Sequence, residues 1–342
     1  MIQYSRIHIR KFVLLVLLGF TTMTFTSCVD EDEFDDTANG NFEALWKIMD
    51  EHYCFFQEKG IDWNAIHEKY QKQVVAGMSD DHLFEVCANM LSELKDGHVN
   101  LFSSFDIARN WSWHENYPNN YSDSLINKYL GTDYKIASAI RYKILDDNIG
   151  YMRYGSFQSD FGAGNIDQVL LEFAPCRALI IDIRNNSGGL LTVAEKLAAR
   201  FTNEEILVGY MRHKNGKGHQ DFSAMKEQRI KPSNGVRWHK PVIVLTNRQV
   251  YSAANEFVKY MRCCHAVIVG DQTGGGAGMP FSSELPNGWS VRFSACPMYD
   301  VNKQSTEQGI TPDYQVDLTH EDFIRGRDTL IEFARSLVNY EL

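Results

Sequence analysis

The sequence predicts an α/β fold with a core of mostly parallel strands, and three observations carry that prediction. Short strand-like runs recur at 149–154, 178–183, 242–245 and 266–269. The run at 242–245 is apolar, β-branched and too short for a helix, as suits a strand buried on both faces. Helical patterns alternate with these runs at 161–173, at 192–201 and after Ser252, where Phe257, Tyr260 and Met261 recur at helical spacing. Loops containing glycine join them, RNNSGG at 184–189 and GGG at 274–276. The stretch PVIVLTNRQVYSAANEFVKYMRCCHAVIVGDQTGGG (241–276) condenses the pattern into one unit: strand, serine, helix, strand.

Taken in order, the chain opens with a segment outside the fold. Arg6, Arg10 and Lys11 precede an apolar run at 12–20 that is too short to span a bilayer. This is the pattern of an export signal, 1–27. It ends in Phe25-Thr26-Ser27-Cys28, similar to a bacterial lipobox, in which the cysteine is lipidated. The acidic run 30–36 makes 28–40 a solvated tether. Acidic residues directly after such a cysteine resemble the surface-export signals of Bacteroidetes lipoproteins. The expected location is therefore the cell envelope, held by an outer-membrane lipid anchor and surface-exposed.

Helical stripes follow at 41–59, 62–75 and 80–95, the last led by Asp80-Asp81 as a cap. Residues 41–98 are expected to form a helical N-terminal subdomain, and 99–342 the α/β domain. Gly97 is placed to end the third helix in a left-handed conformation, which sets His98 at a helix–strand junction. Residues 103–140 carry no clear periodicity and are expected to be irregular. A further strand is expected at 206–211, a long polar excursion at 212–236, and a hairpin with a Pro-Asn-Gly turn at 284–289.

Composition narrows the function. Of 342 residues, 44% are hydrophobic and 23% charged, and the formal charge is -10. No basic stripe is present, so nucleic acid is not an expected partner. The cysteines after Cys28 form neither a disulfide framework nor a CxxC pair, and the histidines form no HExxH, so no metal is expected. The glycines at 274–278 lack the Lys-Ser/Thr of a phosphate loop, so no nucleotide cofactor is expected either.

Ser252 admits two readings. It could cap its helix, or it could be a nucleophile at the carboxyl end of a strand, with helix N–H groups ready for an oxyanion. Gly188-Gly189 ahead of a helix could likewise be a tight turn, an oxyanion hole, or both. In open α/β sheets such loops gather beyond the carboxyl ends of the strands.

Six motifs bear on the choice: LSELKDGHVNLFS, ALIIDIRNNSGGLL, VYSAANEF, VGDQTGGG, LPNGW and EQGITPD. They occur in the order found in C-terminal processing (tail-specific) peptidases and their tricorn-core relatives, and the chain resembles that family over residues 41–318. The resemblance implies a ClpP/crotonase-like α/β catalytic domain, a helical N-terminal subdomain and a serine nucleophile matching Ser252. One branch of the family uses a lysine base, and Gly276 stands at its position here. The tricorn-like branch uses a histidine, matching His98, and a glutamate, matching Glu307. No PDZ-like domain is evident between His98 and Asp147. The expected function is serine-type endopeptidase action on peptide or protein substrates without a cofactor. Ser252 would be the nucleophile, His98 the base and Glu307 its orienter. The oxyanion donors would be Ala253 N–H and one N–H from Gly188 or Gly189. The rival expectation is a surface lipoprotein that binds peptide or apolar ligands in the same cleft without catalysis.

Overall fold

The computed structural model describes residues 33–340. The export signal, Cys28 and the start of the tether lie outside the described residues. The chain divides into two units, Met1–Asp35 and Asp36–Leu342, and every element below belongs to the second. The expected boundary at 98/99 falls inside that unit.

Helix α1 (Ala38–His52) begins at Thr37, whose Oγ1 accepts the N–H of Gly40 at 3.0 Å, and it buries Phe42, Leu45 and Met49. The expected single helix to residue 59 breaks here. Tyr53 turns extended (φ -67, ψ 134), and Tyr53 and Phe55 enter the core. A one-turn helix, α2 (Phe56–Lys59), follows and stops at left-handed Gly60. Asp62 caps α3 (Trp63–Gln71). Ser79, not Asp80-Asp81, precedes α4 (Asp80–Ser92), and the two aspartates occupy its first turn, where the helix dipole favours acids.

Residues 103–140 are more ordered than expected. Strands β1 (Asn100–Phe102) and β2 (Ile107–Arg109) pair as a hairpin. Then come α5 (Asp123–Leu130), with Leu125, Ile126 and Leu130 buried, and β3 (Lys135–Ala137). Three-residue strands are too short to show a period, which explains the silence of the sequence there. The α/β alternation follows: β4 (Ile140–Ile144), β5 (Ile149–Tyr154), α6 (Ala163–Glu172), β6 (Ala178–Asp182) and α7 (Leu191–Ala198). Strand β7 (Ile206–Met211) pairs antiparallel with β8 (Lys226–Ile230). That pairing puts a strand inside the excursion expected at 212–236. The polar KEQRI of β8 lies at a sheet edge and alternates weakly, so its composition hid it. Next are β9 (Val242–Thr246), α8 (Ala253–Cys263), β10 (Val267–Gly270), β11 (Gly278–Glu284), β12 (Ser290–Tyr299), β13 (Tyr314–Gln315), α9 (His320–Ile324) and α10 (Thr329–Tyr340).

One sheet runs β13-β10-β9-β6-β5-β4-β3, parallel from β13 to β5, with β4 and β3 antiparallel at one end. This is the mostly parallel α/β core expected. Successive side chains point to opposite faces, and both faces are covered. Leu179, Ile181 and Val244 pack with Phe257 and Met261 of α8. Ile180, Ile243 and Leu245 pack with Leu330, Ile331 and Ala334 of α10. The second sheet runs β2-β1-β12-β7-β8, with β11 also on β12, and all its pairs are antiparallel. The expected hairpin is β11–β12, closed by Leu285 N–H on Trp289 O at 2.8 Å. Because β6, β9 and β10 are adjacent, the loops after their carboxyl ends meet.

Candidate active site

Ser252 does not cap its helix. Its side chain makes no capping bond, and its backbone sits at φ 57, ψ -124, where non-glycine residues are strained. Two bonds hold it there: Ser252 N–H donates to Gly275 O at 2.8 Å, and Ser252 O accepts Glu256 N–H at 3.0 Å. Its Oγ lies instead 2.9 Å from His98 Nε2.

His98 is 154 residues away in sequence and nearly inaccessible, at 4%. The turn that delivers it differs in detail from expectation. Lys95, not Gly97, takes the left-handed conformation (φ 47). Gly97 is required for space: a Cβ would stand 2.6 Å from Trp113 Nε1. Asp96 Oδ1 accepts the backbone N–H of His98 at 2.8 Å, and β1 then anchors the far side. The ring lies 4.9 Å from that of Tyr251, which stacks on Trp113 at 4.1 Å. Burial pushes the imidazole down to about 4, with Asp96 pulling it up and Arg292 and Lys59 adding to the fall. His98 is therefore neutral at pH 7. A neutral ring whose Nε2 accepts from Ser252 carries its proton on Nδ1. That atom is buried without a hydrogen-bond partner among the described residues.

Glu307 is close by but makes no hydrogen bond to His98. Its Oε1 pairs with Lys59 Nζ at 3.0 Å, and its Oε2 accepts Ala277 N–H at 2.8 Å. Lys59 also lies 3.5 Å from Asp96 Oδ2, which accepts Tyr53 O–H at 3.0 Å and Ser294 O–H at 2.9 Å. Burial, then Asp96, push the carboxyl of Glu307 up to about 8 against the pull of Lys59. Lys59 and His98 draw Asp96 below the usual range despite its burial. The loop bearing Glu307 is tied to α8 through Asn255, whose Nδ2 reaches Thr306 O at 3.4 Å while its Oδ1 accepts Thr273 O–H at 2.6 Å. The asparagine in SAANE thus holds two loops in register.

The two expected glycine donors are not equivalent. Gly188 N–H is taken by Asn186 Oδ1 at 3.0 Å, so it is not available to an oxyanion. Among the described residues no acceptor takes Gly189 N–H or Ala253 N–H. Gly188 instead permits a close approach: a Cβ there would lie 2.8 Å from Ser252 Cβ and 2.9 Å from Ala253 N. At Gly276, where the lysine-dependent branch has its base, φ is +77 and a Cβ would stand 2.4 Å from the Tyr251 ring. No side chain fits there while Tyr251 stays.

Lys59, Asp96 and Tyr251 did not stand out as site residues in the sequence. Asp96 offered one signal, its position two residues before His98. Lys59 offered none, because its place depends on the break after α1.

The profile described as Peptidase family S41 matches residues 148–316, and that of the Tricorn protease C1 domain matches residues 34–92. A crystal structure from Parabacteroides merdae, described only as a candidate peptidase, superposes with a TM-score of 0.85 at 52% identity, covering 89% of this chain and 97% of that one. The carboxy-terminal processing protease CtpA of Bacillus subtilis is 24% identical over 51% of this chain and 36% of its own length. A candidate tricorn-like protease C-terminal subunit of Sulfurisphaera tokodaii is 27% identical over 48% of this chain and 18% of its own length. The chain thus spans well under half the length of these two curated relatives.

Proposed function

The chain belongs to peptidase family S41, and with that as premise we propose that it is a serine endopeptidase acting through an acyl-enzyme on Ser252. The observation that carries the reading is the 2.9 Å approach of His98 Nε2 to Ser252 Oγ, at a strained helix start whose first N–H, that of Ala253, has no acceptor among the described residues. A serine hydroxyl needs such a base to become a nucleophile. His98 Nε2 takes the Oγ proton as Oγ attacks the scissile carbonyl carbon. The oxyanion is met by Ala253 N–H, at the positive end of α8, and by Gly189 N–H. The imidazolium returns the proton to the leaving amine as the C–N bond breaks, and a water molecule releases the acyl group by the reverse sequence. Asp96, which stays ionised, favours the imidazolium. Glu307 acts as orienter indirectly, through Lys59, which it shares with Asp96 beside His98.

A fluorophosphonate should form one covalent adduct, on Ser252, found by peptide mapping of the folded protein. Label elsewhere with Ser252 unmodified would sink the assignment.

The same proposal includes export and anchoring. The basic and apolar pattern ahead of Phe25-Thr26-Ser27-Cys28 supports cleavage before Cys28 and its lipidation, placing the peptidase on the outer membrane of the cell envelope. Mass spectrometry of the mature N-terminus should find lipid on Cys28. An unmodified terminus beyond that residue would refute the anchor.

A further inference from the structure

We infer that Lys59, delivered by the N-terminal helices, is a positioning residue of the proposed reaction that binds Asp96 and Glu307 into one unit beside His98. The inference rests on the serine-peptidase reading.

The geometry is that of one cation between two carboxylates. Lys59 Nζ stands 3.0 Å from Glu307 Oε1 and 3.5 Å from Asp96 Oδ2, and the three side chains are 9%, 4% and 0% accessible. Leu94 O accepts from the same ammonium at 3.4 Å, immediately before the turn that carries His98. The break after α1 aims Lys59 inward, and the Tyr53 and Phe55 rings flank Nζ at 5.9 and 5.5 Å. Such a cation is not the base. It is held ionised by both carboxylates despite its burial, and it has no hydrogen bond to Ser252 among the described residues. Its effect is to hold the ionised Asp96 and the protonated Glu307 together through one cation. Without it Asp96 would be left an unpaired charge out of water, and would take a proton or move. The N-terminal helices therefore supply part of the electrostatic support of the site.

The test uses the full chain and the rate of fluorophosphonate inactivation, separated into the limiting rate and the half-saturating concentration. Lys59→Met should lower the limiting rate on the order of 10²-fold, as misplacement of a catalytic group can. The half-saturating concentration should change little, and Lys59→Arg, which keeps the charge, should recover most of the loss. To keep the test decisive if Lys59→Met alone fails to fold, the Lys59→Met/Glu307→Gln pair is made as well. In that pair no Glu307 carboxyl is left for Lys59 to hold, so it should react no more slowly than Glu307→Gln alone, since Lys59 acts through the cluster. A folded Lys59→Met that labels at the wild-type rate, or losses in the pair that multiply, would overturn the inference while leaving Ser252 in place. Failure of the wild-type chain to label at Ser252 would instead overturn the serine-peptidase reading, and this inference with it.

Discussion

Ser252→Ala should reduce turnover on the order of 10⁶-fold, the loss seen when a serine nucleophile acting as part of a unit is removed. The fold should survive. Ser252 Oγ caps nothing; among the described residues the only bond lost is that to His98 Nε2, and the backbone bonds that hold residue 252 are independent of its side chain. The left-handed strain at φ 57 is the same for alanine as for serine. Stability should therefore fall by only about 1 kcal/mol, the usual scale for one hydrogen bond. Hydrolysis of fluorescent casein, with circular dichroism and thermal melting on the same preparation, checks both halves. Retained turnover in a folded Ser252→Ala protein would mean that another nucleophile does the work. Lost turnover with lost structure would return Ser252 to a purely structural role.

The strained serine also shows where sequence reasoning reaches and where it stops. The strands 149–154 and 206–211 were legible to the residue because their runs are bounded by turn signals. The pairing of Ser252 with His98 was not legible from spacing. It was suggested only by six motifs recurring in a known order, since 154 residues separate the two. The choice between the glycines was invisible, because it depends on which N–H the side chain of Asn186 turns toward. Lys59 shows the limit most clearly. In the sequence it continues an amphipathic stripe. In the fold, Tyr53 and Phe55 leave that helix and are fully buried, and the Lys59 side chain beyond them is only 9% accessible. Tertiary packing overrode local periodicity at that break, and the residue displaced by it is the one that reaches the site.

His98→Ala should cost on the order of 10⁴-fold or more in kcat/KM, as removal of a triad member does. Its pH dependence distinguishes a catalytic base from a packing residue. The base works only when neutral. An ordinary histidine near 6.5 would begin to lose activity just below neutrality. Burial brings His98 down to about 4, so kcat/KM should stay level from pH 7 to about 5 and fall as pH approaches 4. Stability should follow the same sign. Between roughly 6.5 and 4 the unfolded chain binds a proton at this site and the folded chain does not, so stability declines as pH falls through that window. Glu307, raised to about 8, acts in the opposite direction: its folded form keeps a proton that the unfolded form has lost, so its contribution declines as pH rises toward 8. The two are separated by comparing melting of the wild type with His98→Ala between pH 4 and 6.5, where the variant should be less acid-sensitive. Near-wild-type turnover in a folded His98→Ala protein would exclude His98 as the base. An acid limb at 6.5 in the wild type would mean that the imidazole meets water in solution, and that the buried ring beside Tyr251 is not the state that reacts.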